Sequence, residues 1–219
     1  MKRIAVIIAA IAVLVGCTKN MGLSLNTTEV SMYSLEEHVI TTDGTNVRFS
    51  SQNPYVASVN ETTGKIKALH IGKTTIDVSS DQGTNSVSVV VNPKYHIFKD
   101  PEIEWGISQY AVECRYGRPN EQNDEQMLYF FGDVKNGDKH IGTAYTFKDD
   151  VLKSVLVIIN NLYWSEAALH LAERFQYVGE EGNTYVYIGA IESSKAKTMV
   201  TLTKMSGQWV IVYNPKKQT

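Results

Sequence analysis

Cysteine and proline are scarce: 219 residues contain only two cysteines, Cys17 and Cys114, and five prolines. A scaffold stapled by several disulfides is therefore excluded, and stability must come from packed cores. No charge of one sign dominates, since 21 Lys+Arg face 23 Asp+Glu. Without a basic excess there is nothing to drive phosphate contacts, so nucleic acid is not an expected partner. Low-complexity tracts are also missing, and 43% hydrophobic with 20% charged residues is the composition of a folded chain.

Catalytic and metal-binding motifs are lacking as well. His38, His70, His96, His140 and His170 are scattered, with no His-x-x-x-His or His-Glu-x-x-His spacing to hold zinc. Asp133, Asn136 and Asp138 lack the alternating acids and terminal glutamate of a calcium loop, and fit a hairpin turn. Glu121, Asp124 and Glu125 read as a solvated acidic loop, because no second acid is brought to face them. Glu166 and His170 fall at i, i+4 and with Glu173 could orient an imidazole, yet the same spacing is that of an ordinary exposed pair. No Gly-x-Ser-x-Gly elbow or phosphate loop accompanies them. The expectation is a non-enzymatic protein with no cofactor, no metal and no catalytic residues.

What is present begins at the first residue. Lys2 and Arg3 precede an apolar or small run from Ile4 to Gly16, too short at 1.5 Å per residue to cross a ~30 Å hydrocarbon core, and so an export signal. Leu14-Val15-Gly16-Cys17 resembles a bacterial lipobox. That resemblance implies cleavage after residue 16, lipidation at Cys17, and a bacterial cell-envelope location, with the outer membrane expected. Acyl chains contribute about 0.8 kcal/mol per buried CH₂ and can hold a folded body on a bilayer without a span. Loss of Lys2 and Arg3 leaves no basic patch to assist them. Acylation of Cys17 would leave Cys114 as the one thiol.

Residues 17–22 read as a tether. From Leu23 to Pro93 the pattern is about seven short β segments with turn signals at Asp43-Gly44, Asn53-Pro54, Thr63-Gly64, Gly72 and Gln82-Gly83. "TTIDVSS" and "KIKALHI" alternate, giving each strand one buried face, with Val56, Val59, Ile66 and Ile76 directed inward. "SSQNPYVASVN", "GKIKAL" and "GKTTIDV" resemble the bacterial Ig-like group 2 domain over Leu23–Asn92, with Phe49 where that family often has tryptophan. The resemblance implies a β-sandwich serving adhesion or surface display. Asn92-Pro93 marks the boundary, since Pro93 cannot extend a ladder.

Residues 94–219 mix helix and strand. "WGISQYAVECRYGRP" predicts a short helix capped by Ser108 and ended by Gly117, with Ile107, Ala111 and Cys114 inward. Three antiparallel strands follow in "MLYFFGDVKNGDKHIGTAYTFKDDVLKSVLVIIN", bending at Asn136-Gly137 and at Lys148-Asp149-Asp150. "YWSEAALHLAERFQYVG" predicts a second helix capped by Ser165, with Trp164, Ala168, Leu171, Ala172 and Phe175 as its stripe and Gly179 as its stop. "TYVYIGAI", "TMVTLTK" and "WVIVYNP" read as strands. The fold class is mainly β: an Ig-like sandwich, then an α+β domain with a mostly antiparallel sheet and two helices. "GISQYAVECRYGRP" resembles small α+β lipoproteins of the BamE and β-lactamase-inhibitor-protein type.

Twelve tyrosines and three tryptophans concentrate in this second part, and Tyr185 and Tyr187 share one strand face, a possible partner or glycan platform. Three functions stay open: an adhesion or surface-interaction lipoprotein, a periplasm-facing accessory or inhibitor-type lipoprotein binding an envelope protein, and a glycan-binding surface lipoprotein.

Overall fold

The computed structural model describes residues 22–101, 103–190 and 195–216. Cys17 and the export signal lie outside the described residues. Two separate hydrophobic clusters organise the chain, one drawn from Leu23 to Val91 and the other from Ile97 to Tyr213.

The first is the interior of a sandwich. Strands β1 (Glu29–Tyr33), β7 (Gly83–Asn92), β6 (Gly72–Ser80) and β3 (Arg48–Ser51) form one sheet in that order, and β2 (Glu37–Val39), β5 (Lys65–Ala68) and β4 (Ala57–Val59) form the other. Period-two patterning does the work: Ile76 and Val78 on β6 and Val87, Val89 and Val91 on β7 all point inward and are buried. Phe49 is buried between the sheets. Val56 and Ile66 are buried as the alternation requires, whereas Val59 is only half-buried at the end of its short strand. Gly64 has φ 66°, and a Cβ there would come within 2.5 Å of the Ile40 carbonyl oxygen. Gly72, at φ 146°, would press a Cβ to 2.9 Å from Val56. Both turns need glycine for space as well as for backbone freedom.

The second cluster lies on one face of an eight-stranded, wholly antiparallel sheet. Its strands are β8 (Glu121–Gln122), β9 (Gln126–Phe130), β10 (His140–Lys148), β11 (Val151–Ile159), β12 (Gln176–Glu181), β13 (Thr184–Ile188), β14 (Thr198–Met205) and β15 (Gln208–Pro215), in the order β12-β13-β14-β15-β11-β10-β9-β8. Helices α1 (Gln109–Tyr116) and α2 (Trp164–Ala172) cover that face through Val112 and through Ala167 and Leu171. Among the described residues no helix is long and apolar enough to cross a membrane.

Several expectations are corrected. Ser108 does cap α1, accepting from the Ala111 N–H at 3.2 Å, but Cys114 is exposed and not inward. The residue on the sheet is Val112, and two further positions turn Cys114 about 200° away. Ile107 precedes the helix and so cannot mark its face. In α2 the cap is not Ser165: Asn160 accepts from the Leu162 N–H at 3.1 Å and starts a 3₁₀ turn that runs into the helix. The buried stripe of α2 is Ala167, His170 and Leu171, while Trp164 and Ala172 are exposed. The helix ends at Ala172, and Gln176, Tyr177 and Val178, expected to finish it before Gly179, instead open β12, which pairs with β13 across Gly182. Their β-prone Tyr-Val and the φ 59° of Gly182 favour a hairpin.

Candidate functional site

The two units meet through a polar joint. β1 and β7 run parallel, Glu29 opposite Ser88 and Tyr33 opposite Asn92. The chain therefore enters the sandwich at the Leu23 end and leaves it at the opposite end, where the joint is built. There the Ile71 N–H donates to the Glu173 carbonyl oxygen at 2.7 Å, and the Tyr55 hydroxyl donates to the Arg174 carbonyl at 2.8 Å. His70 stacks on Tyr55 with centroids 4.0 Å apart, and its Nδ1 lies 2.7 Å from the Tyr55 carbonyl oxygen. Burial lowers the His70 pKa, opposed by hydrogen bonds to the carbonyls of Tyr55 and Phe175. Burial also pushes the Tyr55 phenol up to about 12.

Beneath these contacts the connecting segment is clamped onto α2. The Glu173 carboxylate is buried and accepts from the N–H groups of Lys94 and Tyr95 at 3.0–3.1 Å. His170, with no exposed surface, sits 3.0 Å from the Tyr95 carbonyl and 3.1 Å from Asp100 Oδ1. Arg174 donates to the other Asp100 oxygen at 2.7 Å. Burial would raise the Asp100 pKa, but the bonds from His170 and Arg174 outweigh it and hold the carboxyl below its ordinary value. A cavity of about 360 Å³ opens beside the joint, lined by residues of both units including Leu35, Leu69, Leu169 and Phe175.

The sequence candidates are distributed as follows. His170 is a buried structural histidine, not an exposed partner of Glu166, which pairs with Lys139 at 2.5 Å. Glu173 is committed to backbone N–H groups and does not orient that imidazole. The residues expected in the β9–β10 turn are there: Asp133 caps a 3₁₀ turn and Asp138 accepts from the Asp133 N–H at 2.9 Å. Glu121, Asp124 and Glu125 are exposed, with Asn123 accepting from the N–H groups of Glu125 and Gln126. Among the described residues no group of three or more His, Cys, Asp or Glu side chains is placed to hold a metal.

Tyr185 and Tyr187 share a face, but it is the face the helices cover. Tyr187 is 3% exposed, inside the core, and burial raises its phenol to about 12. Tyr185 instead joins an aromatic stack with Trp164 and Trp209 at the sheet's end, where Trp164 lies 5.2 Å from Trp209 at 14°.

Sequence reasoning missed the opposite sheet face. Helices α1 and α2 both pack on the core face, and on this other face the side chains that alternate with the core residues form rows across six strands. One row runs Phe130, Gly142, Ile158, Val210, Thr203, Thr184, the last two joined by a hydroxyl–hydroxyl bond of 2.7 Å. The signal was available at the middle of the strands, where the non-core positions Leu128, Ala144, Leu156, Val212 and Thr201 are apolar or hydroxylated rather than charged.

Similarity to known proteins confirms the first unit. Residues 25–91 match the family model of the bacterial Ig-like domain, group 2. This unit of the chain is a bacterial Ig-like domain. No curated protein matches the chain significantly. Among solved structures, an intimin mutant of EHEC O157:H7 matches at 14% identity and TM-score 0.26, over 56% of this chain and 78% of that one. The surface layer protein SbsC, domains 4–9, matches at 11% identity and TM-score 0.28, over 90% of this chain and 27% of that one. Human protocadherin-24 EC1-2 matches at 14% identity and TM-score 0.26, over 88% of this chain and 92% of that one. Superpositions this loose carry no argument beyond the family match.

Proposed function

We infer that the chain is a non-enzymatic lipoprotein of the bacterial cell envelope, anchored through Cys17, in which the Ig-like unit is a spacer and the α+β unit makes the functional contact. One observation carries this reading. The sandwich takes the chain in at one end and passes it out at the other, and the far end is locked to the second unit by the Tyr55, Ile71 and Glu173 contacts. With β7 ten residues long, at about 3.3 Å each the spacer adds on the order of 30 Å of reach. The family match agrees with adhesion or surface interaction as the role, and a periplasm-facing accessory protein would use the same arrangement.

The anchor is tested by fractionating cells that express Cys17→Ser. The variant should move from the membrane to the soluble fraction; retention in the membrane would remove the lipid anchor from the account. Protease shaving of intact cells then separates the orientations: loss of the α+β unit marks outward display, and full protection marks the periplasmic role.

A further inference from the structure

We propose that the end of the α+β unit remote from the joint is a lipid-contacting tip, whose apolar turn residues enter the surface of a bilayer. The inference deepens the reading above by naming what this unit contacts, and it rests on the α+β unit being the binding unit, not on the anchor.

Beyond the row Phe130, Gly142, Ile158, Val210, Thr203 the strands end in three turns that hydrogen bonds tie into one surface. The Asn160 N–H donates to the Lys139 carbonyl at 2.9 Å and its side-chain amide to the Asp138 carbonyl at 3.1 Å, joining the β11–α2 turn to the β9–β10 turn. The Asn161 amide donates to the Gly207 carbonyl at 3.0 Å and its oxygen accepts from the Trp209 N–H at 2.9 Å, joining the same turn to the β14–β15 hairpin. Each turn displays large apolar side chains: Phe131 and Val134 in the first, Leu162 in the second, Met205 at the third, with exposures from 49% at Met205 to 79% at Leu162. Trp164, stacked on Trp209 and Tyr185, stands behind them, and Lys139 Nζ lies 5.2 Å over the Tyr163 ring.

Three features select lipid over a protein partner. These side chains protrude singly from turns, so a rigid partner would need a separate pocket for each, whereas a bilayer deforms around them. Their order from the tip inward also follows depth in a membrane: aliphatic and phenyl groups first, then Trp and Tyr with a lysine, the residues that sit at the headgroups. Finally, the turns at the opposite end, Lys148-Asp149-Asp150 and Asn123-Asp124-Glu125, expose only polar and charged side chains, and Gln109 links them through Asp150, Asn123 and Asp124. The joint lies on that side, because α2 starts at Trp164 and runs down to Glu173.

Charge sets the kind of contact. Lys135, Lys139 and Lys204 are balanced by Asp133, Asp138 and Glu166, so the tip needs no anionic headgroup and works by apolar insertion. Glu180 and Glu181, in the hairpin two strands beyond β14, keep that edge in water. A contact of this size is reversible, as is that of a single acyl chain at about 10⁴ M⁻¹. It orients a protein held by other means and washes off without them, so the release expected of Cys17→Ser stands.

The experiment uses the full chain with Cys17→Ser and Cys114→Ser, one new cysteine carrying an NBD fluorophore, and phosphatidylcholine vesicles at about 1 mM lipid, enough for a contact of that affinity. Because the run from Ile4 to Gly16 can itself bind lipid, the result is read from where the label sits. With Leu162→Cys or Met205→Cys the emission should shift to the blue and be quenched by nitroxide-labelled phosphatidylcholine. With Lys148→Cys, at the opposite end, neither should happen. No shift or quenching at either tip position overturns the proposal and would assign the turns to a protein partner. Equal quenching at the tip and at position 148 overturns it as well, since the protein would then lie on the bilayer without a preferred end. Cys17 is absent from the labelled protein, so failure of the lipid anchor would leave this result unchanged.

Discussion

Glu173 shows how one residue's role depends on its surroundings. It is 5% exposed and its carboxylate accepts from the Lys94 and Tyr95 N–H groups, while its carbonyl receives the Ile71 N–H from the other unit. Hydrogen bonds to a buried charged group contribute about 1.5–3 kcal/mol, and an amide in its place turns an N–H₂ toward N–H donors. Glu173→Gln should therefore destabilise the protein by about 2 kcal/mol, read as a lower urea midpoint with the circular dichroism of the native state unchanged. None of this was legible in the sequence, because a glutamate one turn after a histidine looks like a solvated face. Its burial is decided by where residues 94 and 95 return to the helix, a tertiary fact that local spacing does not carry.

Elements were legible where periodicity is strong and obscure where it changes. The alternation in β6 and β7 and the glycines at positions 64 and 72 identified the sandwich directly, because each residue there is fixed by a turn or an inward face. The second helix was read too long, since Phe175–Val178 can serve either period and only pairing with β13 decides it. Cys114 was placed inward because Ile107 was counted in a helix that begins two residues later. Turn chemistry offers a test at this scale. β14 and β15 are joined by Ser206-Gly207, with φ of 50° and 83°, the two-residue geometry in which Asn-Gly is preferred. Ser206 is exposed and Asn161 already holds the Gly207 carbonyl and the Trp209 N–H. Ser206→Asn should stabilise the protein by about 0.5 kcal/mol, since it relieves a left-handed serine, and a raised melting temperature checks it.

At the scale of the whole molecule the joint decides how the α+β unit is presented, and its titration has a definite sign. Closed, the joint buries His70 among Tyr55, Lys94, Glu173 and the Phe175 carbonyl, and burial holds its pKa below 6.5. A histidine whose pKa is lowered in one state takes up protons more readily in the other, so acid favours the state in which the ring is solvated. The contribution of His70 to closure is complete above 6.5 and is lost as pH falls from 6.5 through the lowered value. Asp100, also lowered, acts in the same direction but only below 3.8, outside that window. His140 is lowered by burial too, but it stacks on Phe131 within the second unit and bears on that unit's folding rather than on the joint. Spin labels placed one in each unit should therefore report a single distance at about pH 7.5 and a broadened, longer distribution at about pH 5. His70→Gln keeps a donor for the Tyr55 carbonyl without a titrating ring, and should hold one distribution across that range. An identical pH response in the variant would assign the opening to another group. A fixed joint at neutral pH is what a spacer requires, because reach is useful only if the far unit keeps its orientation.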